Sequence, residues 1–225
     1  IKILRTLSEK IRPFTSLLEE YLAFLVHTDV VGAKAKYARE MNAVLPKITK
    51  EKRIFFKNAV HPILWRKNNA QEIETISQSI ELNEQQQIIV ISGPNAGGKS
   101  ITLKTIGLLQ LMLQSGILIP VDERSQTYVF DSILTDIGDN QSIENQLSTY
   151  SYRLKNMRYF LRSCNESTLF LIDEFGTGSD PELGGALAEI FLEEFYEKKA
   201  FGIITTHYSN LKVLANELEN VTNAN

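Results

Sequence analysis

The sequence predicts an α/β domain with a parallel sheet, entered through a helical arm, and three observations carry that prediction. An apolar run, Ile88-Ile89-Val90-Ile91, leads into Gly93-Pro94-Asn95-Ala96-Gly97-Gly98-Lys99-Ser100, and a helical repeat of Leu103, Ile106, Leu109 and Leu113 follows. A second apolar run, Leu169-Phe170-Leu171-Ile172, ends on two adjacent acids, Asp173 and Glu174. Further strand candidates at 128–131, 134–137, 168–172 and 200–206 are separated by helical patterns at 146–163 and 183–197, as in a parallel sheet with crossover helices.

Residues 1–45 read as helix. Ile3, Leu4, Leu7 and Ile11 keep helical spacing, as do Leu17, Leu18, Tyr21, Leu22 and Leu25. Pro13 is expected to start or kink a helix. A second helical pattern runs through Val30, Val31, Ala35, Ala38, Met41 and Leu45 and is expected to stop before Pro46, with a join near His27-Thr28-Asp29. From about residue 54 the chain turns to shorter apolar runs. His61 precedes Pro62 and is therefore pushed towards an extended conformation. Ile73 to Leu82 alternates loosely, as an edge strand would. These changes divide the chain into an arm, 1–57, and an α/β domain, 58–225.

Composition narrows the class. Of 225 residues 43% are hydrophobic, enough for a buried core, and no apolar run approaches the ~20 residues of a membrane-spanning helix. The single Cys164 excludes an intrachain disulfide framework and fits a reducing cytosol, so the protein is expected to be cytoplasmic. The chain begins at Ile1 and is expected to belong to something longer. Its net charge of −3 conceals +8 over residues 1–67 and −11 over the rest. A basic segment of that kind suits a polyanionic partner, or equally a solvated helical face.

The glycine loop has the spacing G-x-x-x-x-G-K-[ST] between a strand and a helix, the setting of a phosphate-binding loop. Glycines at 93, 97 and 98 let successive N–H groups turn towards phosphate oxygens, and the helix start adds positive potential. Lys99 is placed to reach the β- and γ-phosphates, and the Ser100 hydroxyl to ligate Mg²⁺. At a strand end, Asp173 is placed to hold Mg²⁺ and Glu174 to deprotonate the attacking water. Phe201-Gly202-Ile203-Ile204-Thr205-Thr206-His207 is a buried strand that delivers a histidine to the same edge, beside the γ-phosphate. Ser148, at the end of the polar stretch 139–151, is an N-cap candidate. It closes an ordinary loop or meets a phosphate supplied by another subunit.

These motifs resemble the MutS family of DNA mismatch-repair ATPases. Gly93–Ser100 looks like its variant phosphate loop and Ser148-Thr149-Tyr150 like its Ser-Thr-Phe element. Leu171–Glu174 with Gly176-Thr177-Gly178 is similar to its acidic strand and turn, and Thr205-Thr206-His207-Tyr208 to its switch-histidine motif. All four occur in family order. Asp139–Glu144, Gly178–Pro181 and Ala38–Val44 look most like the second bacterial branch, associated with suppression of homologous recombination and, in some bacteria, with ribosome rescue. The resemblance implies an ABC-type P-loop NTPase with a mostly parallel central sheet flanked by helices, preceded by an α-helical lever segment. It implies ATP and Mg²⁺ as cofactors and a homodimer with two composite sites. Gly93, Pro94, Asn95, Ala96, Gly97, Gly98, Lys99, Ser100 and Ile101, with Asp173, Glu174 and His207, would serve a subunit's own nucleotide, Asn95 touching the γ-phosphate, and Ser148 its partner's. The mismatch-repair branch stacks an aromatic on adenine. The matching place here is Thr75-Ile76, so adenine is expected to meet Ile76 by apolar contact. The implied activity is ATP hydrolysis driving a clamp on branched or duplex DNA, or on ribosomal RNA, without a membrane. Two rivals remain: an ATP-gated scaffold that does not hydrolyse, and a small-molecule kinase, for which no lid pattern is found.

Overall fold

The computed structural model describes residues 2–93, 98–138, 149–175 and 181–224, and packing divides the chain into two compact units, Ile1–Ala43 and Val44–Asn225. The first unit holds α1 (Lys2–Ile11), a 3₁₀ turn at Arg12–Phe14 and α2 (Thr15–Met41). The interruption falls at Pro13, which has no N–H to continue the ladder. The join expected near His27-Thr28-Asp29 is not there. α2 runs through it, Thr28 returning its hydroxyl to the Phe24 carbonyl at 2.8 Å, because polar side chains without proline need not break a helix. α2 also stops short of the expected Leu45. Asn42 takes the left-handed conformation at φ 48°, and its N–H and that of Ala43 both return to the Ala38 carbonyl.

The second unit comprises β1 (Lys47–Ile48), β2 (Ile54–Ala59), α3 (Pro62–Asn69), β3 (Gln78–Leu82), β4 (Ile88–Ser92), α4 (Lys99–Gln114), β5 (Gln126–Thr127) and β6 (Ser132–Asp136). It continues with α5 (Thr149–Ser163), β7 (Thr168–Ile172), α6 (Pro181–Glu197), β8 (Phe201–Thr206), α7 (Ser209–Glu217) and β9 (Val221–Ala224). The expected arm–domain boundary, between 57 and 58, falls inside β2, which pairs antiparallel with β3 from Ile54↔Leu82 to Ala59↔Gln78. The compact unit therefore begins earlier, at Val44. β3 ends the smaller sheet, ordered β1-β5-β2-β3, and is an edge strand as its alternation suggests.

The larger sheet has the order β6-β7-β8-β4-β9, and every neighbouring pair is parallel. Both its faces are covered, which explains why its strands read as continuous apolar runs. The period of two still sorts the side chains. Ile88, Val90, Phe170, Ile172 and Ile204 pack on one face with Met157, Phe160, Leu192 and Phe195. Ile89, Ile91, Leu169, Leu171 and Ile203 pack on the other with Leu103, Ile106, Leu109 and the smaller sheet's Ile54 and Phe56. At Gly202 a Cβ would lie 2.3 Å from the Phe170 ring, so the glycine is required there by close packing.

Residues 128–131 are not the strand their apolar pattern suggests; the strand is Ser132–Asp136. Two glutamines of α4 take over the backbone bonding. Gln110 Nε2 donates to the Tyr128 carbonyl at 2.8 Å. Gln114 Nε2 donates to the Phe130 carbonyl, and Phe130 N–H donates back to Gln114 Oε1, both at 3.0 Å. Polar atoms buried beneath this segment are thereby satisfied without a sheet ladder.

Candidate functional site

Because the five strands are parallel, their carboxyl ends lie along one edge, the edge where open α/β sheets gather ligands. β4 delivers Gly93 there, β7 delivers Asp173 and Glu174, and β8 delivers Thr206 and His207. β8 lies between β4 and β7, so the glycine loop and the acids leave strands about 10 Å apart, two sheet spacings. α4 closes that gap.

Gly93 at φ 139° and Gly98 at φ 80° flank the loop, and neither has a neighbour within 4 Å of a would-be Cβ. The backbone conformation, not lack of room, calls for glycine at these two positions. Lys99 opens α4, is 5% exposed, and donates from Nζ to the Gly93 carbonyl. Ser100 Oγ donates to Asp173 Oδ1 at 3.0 Å across 73 residues of sequence. Asp173 is 7% exposed, and its Oδ1 also accepts from Thr205 Oγ1 at 2.5 Å. The same Thr205 oxygen accepts the Glu174 N–H at 2.8 Å. One buried hydroxyl thus fixes both acidic residues relative to β8.

Glu174 itself has φ 51°, a left-handed conformation that costs a non-glycine residue roughly 1–3 kcal/mol. Its carbonyl accepts from Arg153 Nη1 of α5 at 2.8 Å. Asp136, at the end of β6 and nearly buried, accepts from Asn156 Nδ2 at 3.4 Å and gives its own carbonyl to the Asp173 N–H at 2.9 Å. Burial pushes the Asp136 carboxyl above the usual range and nearby Asp173 adds to that, while Arg153 and the Asn156 hydrogen bond draw it back.

His207 follows β8 directly and is exposed at this edge, and Ile101 lies half-buried in the first turn of α4. Pro94, Asn95, Ala96, Gly97 and Ser148 lie outside the described residues. Ile76 is 84% exposed, and it does not line the cavity of about 550 Å³ beside Gly93 and Lys99. That cavity has Ile80, Ile89, Ile91, Thr102 and Ala224 in its wall instead. Arg153, Asp136 and Thr205 also meet at this site, and no motif of the sequence assigns them a role of their own. Of these only Asp136 carries a signal, an acid closing a strand at the ligand edge.

A glycine loop from a central parallel strand into a helix, with a strand-end carboxylate hydrogen-bonded to the helix's first serine, defines a P-loop nucleotide-binding domain. Residues 89–225 match the family model for MutS domain V, the P-loop ATPase domain of that family. The chain is 45% identical over 96% of its length to Endonuclease MutS2 of Finegoldia magna, and 42% identical over 99% to those of Pediococcus pentosaceus and Ligilactobacillus salivarius. The chain belongs to the MutS family, as a member of the MutS2 type. It spans about 27–28% of the length of those relatives.

Proposed function

We propose that this chain is the ATP-hydrolysing part of a dimeric clamp on nucleic acid, working in the cytoplasm with ATP and Mg²⁺. The observation that carries the reading is the meeting of Ser100 Oγ and Asp173 Oδ1 at 3.0 Å beside Lys99. A serine hydroxyl and a carboxylate form an all-oxygen donor set, which suits a hard cation such as Mg²⁺. Ser100 and Asp173 would hold the ion, which would supply neutralisation of charge on the phosphate oxygens.

The chain's own residues do the rest. The N–H groups of the glycine loop, Pro94 excepted, and the Lys99 ammonium grip the β- and γ-phosphates. Ile101 lies against the nucleotide, and Ile80 in the cavity wall, not Ile76, offers adenine an apolar surface. The Glu174 carboxylate accepts a proton from the attacking water, and His207 stands at the γ-phosphate to stabilise developing charge. Ser148 completes the site on the partner subunit, so nucleotide is buried between two copies and its hydrolysis releases them. DNA, branched or duplex, is the proposed substrate of the clamp, because the family resemblance extends from repair to recombination proteins. Ribosomal RNA is the alternative within the same reading.

The test is Mg²⁺-dependent ATP binding and phosphate release by the full-length protein and its Asp173→Asn variant. The variant is expected to lose the Mg²⁺ dependence of binding and nearly all turnover. Unchanged binding and turnover at the same Mg²⁺ requirement would overturn the reading.

A further inference from the structure

Glu174 is gripped through its main chain from two sides. Thr205 of β8 takes its N–H at 2.8 Å, and Arg153 of α5 donates to its C=O at 2.8 Å. Between these two bonds the residue sits at φ 51°. A non-glycine side chain stays in that region only while its surroundings hold it there, so the direction of the Glu174 carboxylate depends on both bonds. The Thr205 bond belongs to the sheet and moves only with it. The Arg153 bond comes from a helix, and that helix is tied to the same corner one turn further on, where Asn156 reaches Asp136. α5 begins at Thr149, next to Ser148, the residue assigned above to the partner's nucleotide.

We propose that Arg153 is a positioning residue that sets the hydrolytic step through the Glu174 carbonyl, so that seating of α5 governs turnover while ATP affinity is left alone. The proposal rests on Glu174 being the general base. Arg153 donates a hydrogen bond to the Glu174 main chain, and a displacement of α5 breaks it. The base then relaxes from its left-handed conformation and its carboxylate leaves the line of attack. The bonds that Lys99 makes to Gly93 and Ser100 makes to Asp173 do not involve Arg153, so the grip on nucleotide and metal is expected to outlast that change.

The experiment measures steady-state phosphate release and equilibrium ATP binding for the full-length protein and for Arg153→Met, Arg153→Lys, Glu174→Gln and the double variant Arg153→Met/Glu174→Gln. Arg153→Met is expected to lower kcat about tenfold to a hundredfold, the scale of a misplaced catalytic group, with KM and Kd for ATP unchanged. Arg153→Lys, which keeps a donor, recovers part of the loss. The double variant is expected to match Glu174→Gln within about twofold, because residues acting through one group are not additive. Wild-type kcat in Arg153→Met, a raised KM with kcat unchanged, or additive losses in the double variant each overturn the proposal. If Arg153→Met loses its cooperative thermal transition, Arg153→Gln takes its place with the same criteria. Normal turnover in Glu174→Gln shows that the base assignment has failed. A slow Glu174→Gln beside a normal Arg153→Met shows that this inference alone has failed.

Discussion

At the scale of single residues, Thr205 joins the acids together. Its hydroxyl donates to Asp173 and accepts from the Glu174 N–H, and it is fully buried. Thr205→Val keeps the shape but leaves a buried N–H and a carboxylate oxygen each short of a partner, and is expected to destabilise by about 1–3 kcal/mol. Urea unfolding measures it, and an unchanged midpoint contradicts it. Cys164 gives a second expectation. Burial pushes its thiol up to about 11, and it is 6% exposed. Because the thiolate is the reactive form, a thiol reagent at pH 8 should label the native protein far more slowly than the urea-unfolded one. Equal rates contradict that. The meeting of Ser100 with Asp173 next to Lys99 is legible in the sequence because one local spacing and one strand-end acid announce it. Arg153 and Thr205 are not, since each meets Glu174 across the fold, from 21 and 31 residues away, and an isolated arginine or threonine gives no pattern.

At the scale of elements, apolar runs located β4, β7 and β8 well, because strands covered on both faces leave no polar alternation to confuse the reading. The same signal misled at 128–131, where Tyr128 and Phe130 are also apolar. There the deciding partners are Gln110 and Gln114, spaced a turn apart on α4, whose amides replace a ladder that no sequence pattern predicts. Gln110 also accepts from Thr127 Oγ1 at 2.8 Å and is fully buried. Gln110→Leu therefore leaves the Thr127 hydroxyl and the Tyr128 carbonyl to their longer mutual bond at 3.2 Å, and is expected to cost about 1 kcal/mol in denaturant unfolding. A neutral result assigns the stability of this segment to Phe130 packing instead. His61 shows local chemistry read partly: Pro62 held it extended as expected. Its Nδ1 then caps α3 by accepting the Leu64 N–H at 3.3 Å, which pattern reading had left unassigned. On the sheet, Gly202→Ala places a methyl 2.3 Å from Phe170 and should lower stability by about 1–3 kcal/mol through overpacking.

At the scale of the whole molecule, the helical arm and the α/β unit are both legible in the sequence, while their division at Ala43 is not, because the apolar helical pattern reads on to Leu45 and the first strand of the second unit, β1, is two exposed residues long. Among the described residues no helix is long and apolar enough to cross a membrane. The composite-site reading makes an expectation about concentration: ATP hydrolysis per subunit of the full-length protein should rise with protein concentration and level off once dimers form. A rate per subunit that is flat down to the lowest concentration contradicts a site completed by a partner. Glu174 is the group proposed to activate water at a site otherwise built to hold nucleotide. The most direct measurement is therefore paired ATP binding and single-turnover hydrolysis by the full-length Glu174→Gln variant. Binding within about twofold of the unmodified protein and hydrolysis slowed about a hundredfold or more are expected. Hydrolysis at the unmodified rate, with binding intact, contradicts that role.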